Sequence, residues 1–367
     1  METTMYNSSS NSNVFPARLR AAREMADLSL QDLANISSLS KQAISKFENA
    51  QLRPSSDAVV KLAKALNVSQ DFLFEEELVE TNITLASVSL REKSKIIIDE
   101  FEAIKKDTVD YIVRLIELEN IADSKQDFKN PIADIIIQTK KDVEKAAKQL
   151  RKKWNLGNVQ IPNVVELLED KGIKVYEVNR SEKFEGFAAW AGKIPVIVIN
   201  SAIKEITRIR FTSMHELGHI VLQFIDELDE ETIERLCDAF SGELLFPKEA
   251  IIIEFGHKRT KVTIEELKYL KEKYGISIHA IMYSTLQAGV IDFDTYKLWK
   301  MYYNQWFAED KDFGKFNSEE KPQRFNKLLY SCIIEEKISL GKASVLAGVK
   351  EGMLKKKFHS LEKHHVN

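Results

Sequence analysis

A chain of 367 residues is longer than one ordinary hydrophobic core, so two or three domains are expected. Its hydrophobic fraction of 44% and charged fraction of 30% describe a soluble globular protein, and a net charge of −3 excludes coating nucleic acid by charge alone while leaving room for a locally basic module. Two cysteines, Cys237 and Cys332, exclude a disulfide framework and point to a reducing compartment; with no apolar run long enough to span a bilayer, a cytoplasmic protein is expected.

Residues 1–13 are Ser/Asn-rich, lack an apolar segment and read as a disordered tail, not as a secretory signal. From Val14 the pattern turns helical, with Phe15, Leu19, Ala22 and Met25 on one face. Ser29 precedes Leu30-Gln31-Asp32-Leu33-Ala34, a capped helix start. After a short break comes Lys41-Gln42-Ala43-Ile44-Ser45-Lys46-Phe47-Glu48; Pro54-Ser55 opens a further helix, and a fifth is expected from Ser69. Two short helices a few residues apart within a five-helix bundle describe a helix-turn-helix. The second would enter the major groove and present Lys41, Gln42, Ser45 and Lys46 to bases and phosphates. Gln31 is placed for a phosphate. Between Val14 and Phe74 stand eight Lys/Arg and six Asp/Glu, a net charge of only +2, so two copies on one operator are expected.

Residues 14–75 resemble the Cro/C1-type (XRE) family of phage repressor helix-turn-helix domains. The resemblance rests on Ser29-Leu30-Gln31-Asp32-Leu33-Ala34, on Ile44-Ser45-Lys46-Phe47-Glu48-Asn49 and on Pro54-Ser55. It implies operator DNA as a partner.

Residues 76–130 read as a linker and a long amphipathic helix. Ile97, Phe101, Ile104, Thr108, Tyr111, Leu115 and Leu118 follow each other at spacings of four and three. That stripe is either packed on its own chain or is a homodimer seam, which would set two recognition helices about 34–36 Å apart.

The next stretch begins with an amphipathic helix from Ile132 to Trp154 and a helix near Ile161–Leu168. A strand at Ile173–Val178 and a hairpin over Gly186–Asn200, turning at Gly192-Lys193, make a small antiparallel sheet. Pro195 suits an edge strand, and such an edge can take up an extended peptide.

Phe211-Thr212-Ser213-Met214-His215-Glu216-Leu217-Gly218-His219 follows, holding the pattern H-E-x-x-H. On a helix His215 and His219 lie on one face and can bind one zinc ion. Glu216 is placed as general base toward a water on the open side of the metal. The third ligand is assigned to Glu234, in Thr232-Ile233-Glu234-Arg235-Leu236-Cys237-Asp238-Ala239-Phe240. Asp238, one turn on, would accept the free N–H of a histidine. A surface helix with two histidines would carry the same five letters. The apolar flanks of both segments argue instead that their polar residues sit against a core.

Residues 131–290 resemble the ImmA/IrrE family of bacterial zinc-dependent metallopeptidases. The order is a Leu-Leu-Glu-x-x-Gly-Ile turn, a strand ending in Ile199-Asn200, then Arg210-Phe211-Thr212-x-x-His215-Glu216-Leu217-Gly218-His219. Glu234-x-x-x-Asp238-x-Phe240 and Leu244-Leu245-Phe246-Pro247 complete it. The resemblance implies a gluzincin-like fold and cleavage of a repressor or antitoxin-like protein, and fusion to a helix-turn-helix is seen in that family. Cys237-Asp238 and Phe246-Pro247 stand where the family usually has Ala-Asn and Met-Pro. Tyr176, Arg208, Arg210 and His257 are the candidates for an oxyanion donor.

Residues 291–367 read as a helical C-terminal region. Trp299, Tyr302, Tyr303, Trp306 and Phe307 form a core stripe, and Glu335–Val349 reads as a small second helix-turn-helix with a packing role. The expectation is thus a mainly α protein with a small antiparallel β-sheet: a DNA-binding regulator carrying a zinc-dependent metallo-endopeptidase. The rival is a non-catalytic transcription factor whose metal domain senses a ligand or partner.

Overall fold

The computed structural model describes residues 14–26, 28–66, 68, 70, 73–74, 85–89, 98–308 and 313–356. Ile97 and most of the segment expected to form a fifth bundle helix lie outside them. Among the described residues, contacts gather those of Met1–Ile83, Tyr111–Lys125 and Arg324–Asn367 into one unit. Those of Thr84–Asp110 and Gln126–Gln323 form another. The protein is mainly helical, with a small sheet. No helix among the described residues is long and apolar enough to cross a membrane.

The first unit begins with α1 (Val14–Met25), α2 (Leu30–Ser37), α3 (Lys41–Glu48) and α4 (Ser56–Leu66). Ser29 and Asp32 form a capping box on α2, and Ser40 Oγ accepts the amide of Ala43 at the start of α3. Leu19, Leu33, Ile44 and Leu62 are fully buried between the helices, as is Leu73 beyond them. Glu48 is buried and takes the Arg23 guanidinium on both oxygens, at 2.7 and 3.0 Å. The unit also holds the second half of α5 (Ile98–Ile121) with α14 (Arg324–Ile334) and α15 (Leu340–Ala347). Arg324 pairs with Glu119 and Lys342 with Glu117, both at 2.6 Å, and Leu118 is buried beside Leu329 and Leu346.

The second unit is built on a sheet of order β1-β4-β5-β3: β1 (Leu85–Ser89), β3 (Lys174–Val178), β4 (Gly186–Ala191) and β5 (Ile194–Asn200). The β4–β5 hairpin turns at Gly192, whose φ of +62° suits glycine. The sheet is mixed, however, and not antiparallel throughout: β3 pairs parallel with β5. The segment after β3 reverses direction but leaves one strand position free, which β5 then fills. Asn200 holds that crossing segment, donating to the carbonyls of Ser181 (2.9 Å) and Phe184 (2.7 Å). Pro195 therefore sits on an inner strand. It is tolerated because the β3 register starts one residue later, at Val196.

Two further boundaries differ from expectation. The helix predicted from Ile132 begins eight residues later, as α6 (Lys140–Lys153). The Asp142 carboxylate accepts both the amide and the hydroxyl of Thr139 and fixes the start there. Ahead of it, β2 (Ile136–Ile137) pairs with β6 (Gln223–Phe224). Of the α5 stripe, Phe101, Ile104, Thr108, Leu115 and Leu118 are buried within the chain, as the first of its two readings expects; Tyr111 is half-buried, and Phe101 meets Phe187 edge-on at 5.4 Å. β1 falls in a segment read as linker.

The sheet packs on α8 (Ile206–Val221), which in turn packs on α9 (Glu230–Leu245). Around them lie α7 (Val164–Asp170), α10 (Lys248–Phe255), α11 (Ile264–Tyr274), α12 (Ile278–Gln287) and α13 (Phe293–Ala308). On α13, Tyr296 and Trp299 are buried and Tyr303 stacks on Trp299 at 5.1 Å; Tyr302 is exposed.

Candidate metal centre

α8 is buried along most of its length, which places its polar side chains among protein atoms. It approaches α9 closely at Gly218, where a Cβ would meet Cys237 Sγ at 3.1 Å. Ser241 Oγ donates to the Phe211 carbonyl at 2.8 Å and fixes the two helices one turn further along. α9 starts at Asp229, whose carboxylate accepts the Thr232 amide at 2.7 Å.

This packing gathers His215, His219 and Glu234, with their donor atoms all within 4.8 Å of one another. The two Nε2 atoms are 3.1 Å apart. Glu234 places one oxygen 3.0 Å from His219 Nε2 and the other 3.3 Å from His215 Nε2. Neighbouring donors around a tetrahedral zinc with bonds near 2.0–2.2 Å are about 3.3 Å apart, so the set fits one such ion. Two imidazole nitrogens and a carboxylate are also the donor chemistry of an open zinc site. Burial of Glu234 opposes its ionisation, but hydrogen bonds and charge from both histidines outweigh that and hold it well below the usual carboxylate range.

Asp238 Oδ1 lies 2.8 Å from His215 Nδ1. A carboxylate only accepts, so Nδ1 carries a proton, and in the neutral ring that leaves the Nε2 lone pair for a metal. On His219, Nδ1 faces Cys237 Sγ at 3.7 Å. Cys237 is fully buried between the helices, on the side of the ring away from the cluster. Glu216, next to His215 in sequence, is 2% exposed.

Residues 168–285 match the family model of the IrrE N-terminal-like domain, Peptidase_M78, and residues 19–73 match that of a helix-turn-helix, HTH_3. The chain joins a helix-turn-helix to a Peptidase_M78 domain. No curated protein matches it.

Within the Peptidase_M78 domain, Arg210 is not available as an oxyanion donor. Its fully buried guanidinium is spent on Glu320 and on the carbonyls of Ile161 (2.6 Å) and Gly275 (3.0 Å). Arg208 is bound to Glu185 at 2.6 Å, His257 is exposed in the turn after α10, and Tyr176 lies on β3, two strands from β4. None of these is within the cluster.

Sequence reasoning missed a cavity of about 290 Å³ between α6, α8, α9 and α12, with Lys140, Phe211, Asp238, Glu243, His279 and Tyr283 in its wall. It shares Asp238 with the cluster. Burial pushes Glu243 up to about 7, helped by Glu144 and Glu249 and opposed by the Lys248 amide and Lys140. Burial likewise lowers His279. Only the helical period of α9 hinted that residues 235, 239 and 242 share a face.

In the helix-turn-helix, Lys41, Gln42 and Lys46 are exposed on the first two turns of α3, with Ser45 half-buried beside them. Gln31 is exposed at the start of α2 and donates to Asn35 at 3.1 Å.

Proposed function

We propose that the Peptidase_M78 domain is a zinc-dependent metallo-endopeptidase and that the chain is a transcriptional regulator acting in the cytoplasm. The observation that carries this is the convergence of His215, His219 and Glu234, with the buried Glu216 next to His215 on the same helix. When bound there, a zinc ion supplies Lewis acidity toward a scissile carbonyl and toward water. His215 and His219 hold it through Nε2, and Asp238 fixes the His215 tautomer. Glu216 takes a proton from the attacking water and returns it to the leaving amine. The buried floor of α8 keeps bulk water off that carboxylate.

The natural substrate on this reading is a repressor or antitoxin-like protein. The helix-turn-helix takes operator DNA through Lys41, Gln42, Ser45, Lys46 and Gln31, as a pair of copies, since one module's charge is small.

Two measurements test the reading. Metal analysis of purified protein should find about one zinc per chain, lost in His215→Ala; equal metal in both ends the assignment. Co-expression with candidate repressors should show one product cut by wild type and intact with Glu216→Gln. If both leave every candidate intact while zinc is bound, the metal domain is a non-catalytic sensor.

A further inference from the structure

The connecting region supplies one element that the metal cluster does not use. β1, Leu85-Ala86-Ser87-Val88-Ser89, pairs antiparallel with the last four residues of β4. Leu85 lies opposite Ala191, Ala86 opposite Trp190, Ser87 opposite Ala189 and Ser89 opposite Ala188, with a bulge between Ser87 and Ser89. Without β1, these β4 residues would present a row of open backbone groups, the surface to which an extended peptide adds as a strand.

That edge runs beside the cluster. Gly186, the first residue of β4, lies over Thr212: a Cβ there would stand 3.1 Å from Thr212 Cγ2. At the other end Trp190 meets Phe128 edge-on at 6.3 Å, and nearby Asn130 donates to the carbonyl of Val221, where α8 ends. β4 thus follows α8 from Thr212 toward Val221. Glu216 and His219 are four and seven residues past Thr212, about 6 and 10 Å along a helix. A strand covers those lengths in about two to three residues. Glu216 and His219 therefore come level with Ala188 and Ala189, where the pairing with β1 begins. β1 also contacts α8 itself.

We propose that β1 occupies the edge of β4 that an extended substrate would take, so that the metal centre stays closed until the chain's own connecting segment leaves. This rests on the peptidase reading above. The occupant has the chemistry of a substrate: an extended backbone, antiparallel to β4, level with the general base. A five-residue strand interrupted by a bulge is a short contact, of the kind that opens without global unfolding. The substrate must then be a segment that can become extended and compete with β1.

The test uses the full-length, zinc-loaded protein in a Glu216→Gln background, so that the probe is not cut. Ser87→Pro takes a donor out of β1 and forces its backbone from the ladder. A second variant replaces residues 85–89 by a Gly/Ser linker of equal length. The probe is a fluorescein-labelled peptide with the sequence of residues 84–90, read by anisotropy. Both variants, with native circular dichroism, should bind it at least tenfold more tightly than the parent. Equal binding, or none by either variant, overturns the proposal. If neither variant folds, hydrogen exchange on the wild type decides. Amides of residues 85–89 should exchange well ahead of those of β5, and exchange only through global unfolding overturns it. With Glu216 restored, tight binding without cleavage of any candidate repressor would sink the peptidase reading and leave β1's role standing.

Discussion

One carboxylate, Asp238, decides which nitrogen of His215 faces the cluster. Removing it frees the ring to rotate and lowers the basicity of Nε2, so Asp238→Ala should weaken zinc binding about 10–100-fold. Competition against a fluorescent chelator measures this, and unchanged affinity would show that His215 is oriented by something else. Asp238→Asn keeps an acceptor and should lose less. The position of Asp238 was legible because residues four apart on a helix share a face, and Glu234 supplied the reference. Glu243 was not legible. Its environment comes first from burial and then from Glu144 and Glu249, which the sequence gives no reason to place beside it. Its folded pKa, pushed up to about 7, lies above the unfolded value near 4.3, so the folded state holds the extra proton between those limits. Stability must then fall as pH rises from about 4.5 to 7, and this penalty is absent below that window. Urea denaturation at pH 5 and pH 7.5 should show Glu243→Gln gaining on wild type by about 2 kcal/mol at the higher pH, allowing for partial exposure. A pH-independent difference would mean that Glu243 is ionised throughout.

Elements whose causes are local were the ones the sequence foretold. α8 and α9 follow from helical spacing, and the β4–β5 hairpin from two short apolar runs on either side of Gly192. β1 was missed because its alternation, Ala86-Ser87-Val88-Ser89, is brief and weakly apolar, and its partner strand lies about a hundred residues away. The parallel β3–β5 pairing was missed for a related reason: a hairpin announces only its own two strands. The anchoring of α8 is another non-local effect. Glu320 lies under the segment before α14, yet it pairs with Arg210 and accepts the amides of Val164 (2.8 Å) and Val165 (3.0 Å) at the start of α7. Gly275, at φ +64°, belongs to the same device, since a Cβ there would stand 2.6 Å from Arg210 Nε. Both charges of the pair are fully buried. Deleting one strands the other, so Glu320→Ala should cost about 3–5 kcal/mol in urea denaturation. Replacing both partners by apolar residues of similar size should cost much less. Equal losses would assign the effect to the α7 amides and not to the buried charge.

Across the whole molecule, the chain order of modules and their grouping by contact differ. The C-terminal α14 and α15 fall in the same unit as the helix-turn-helix, through Lys342–Glu117 and Arg324–Glu119 on α5. No local pattern announces such a return of the chain; an apolar stripe such as that of α5 states only that something covers it. The DNA-binding half also shows what net charge leaves undecided. The whole chain is acidic at −3, yet α3 presents Lys41 and Lys46 to solvent on either side of Gln42. If α3 lies in the major groove, these residues divide the work. A lysine on phosphate contributes to any sequence alike, whereas a glutamine on an adenine edge discriminates. Lys46→Ala should therefore weaken binding to operator and to random DNA by the same factor, and reduce the slope of log K against log salt by about 1. Gln42→Ala should leave that slope unchanged and relax preference at one base pair by about 1–3 kcal/mol. Electrophoretic mobility shifts over a salt series, with selected and random duplexes, separate the two effects. If Lys46→Ala altered the preferred sequence and left the salt slope intact, Lys46 would be reading a base, and α3 would sit in the groove in another register.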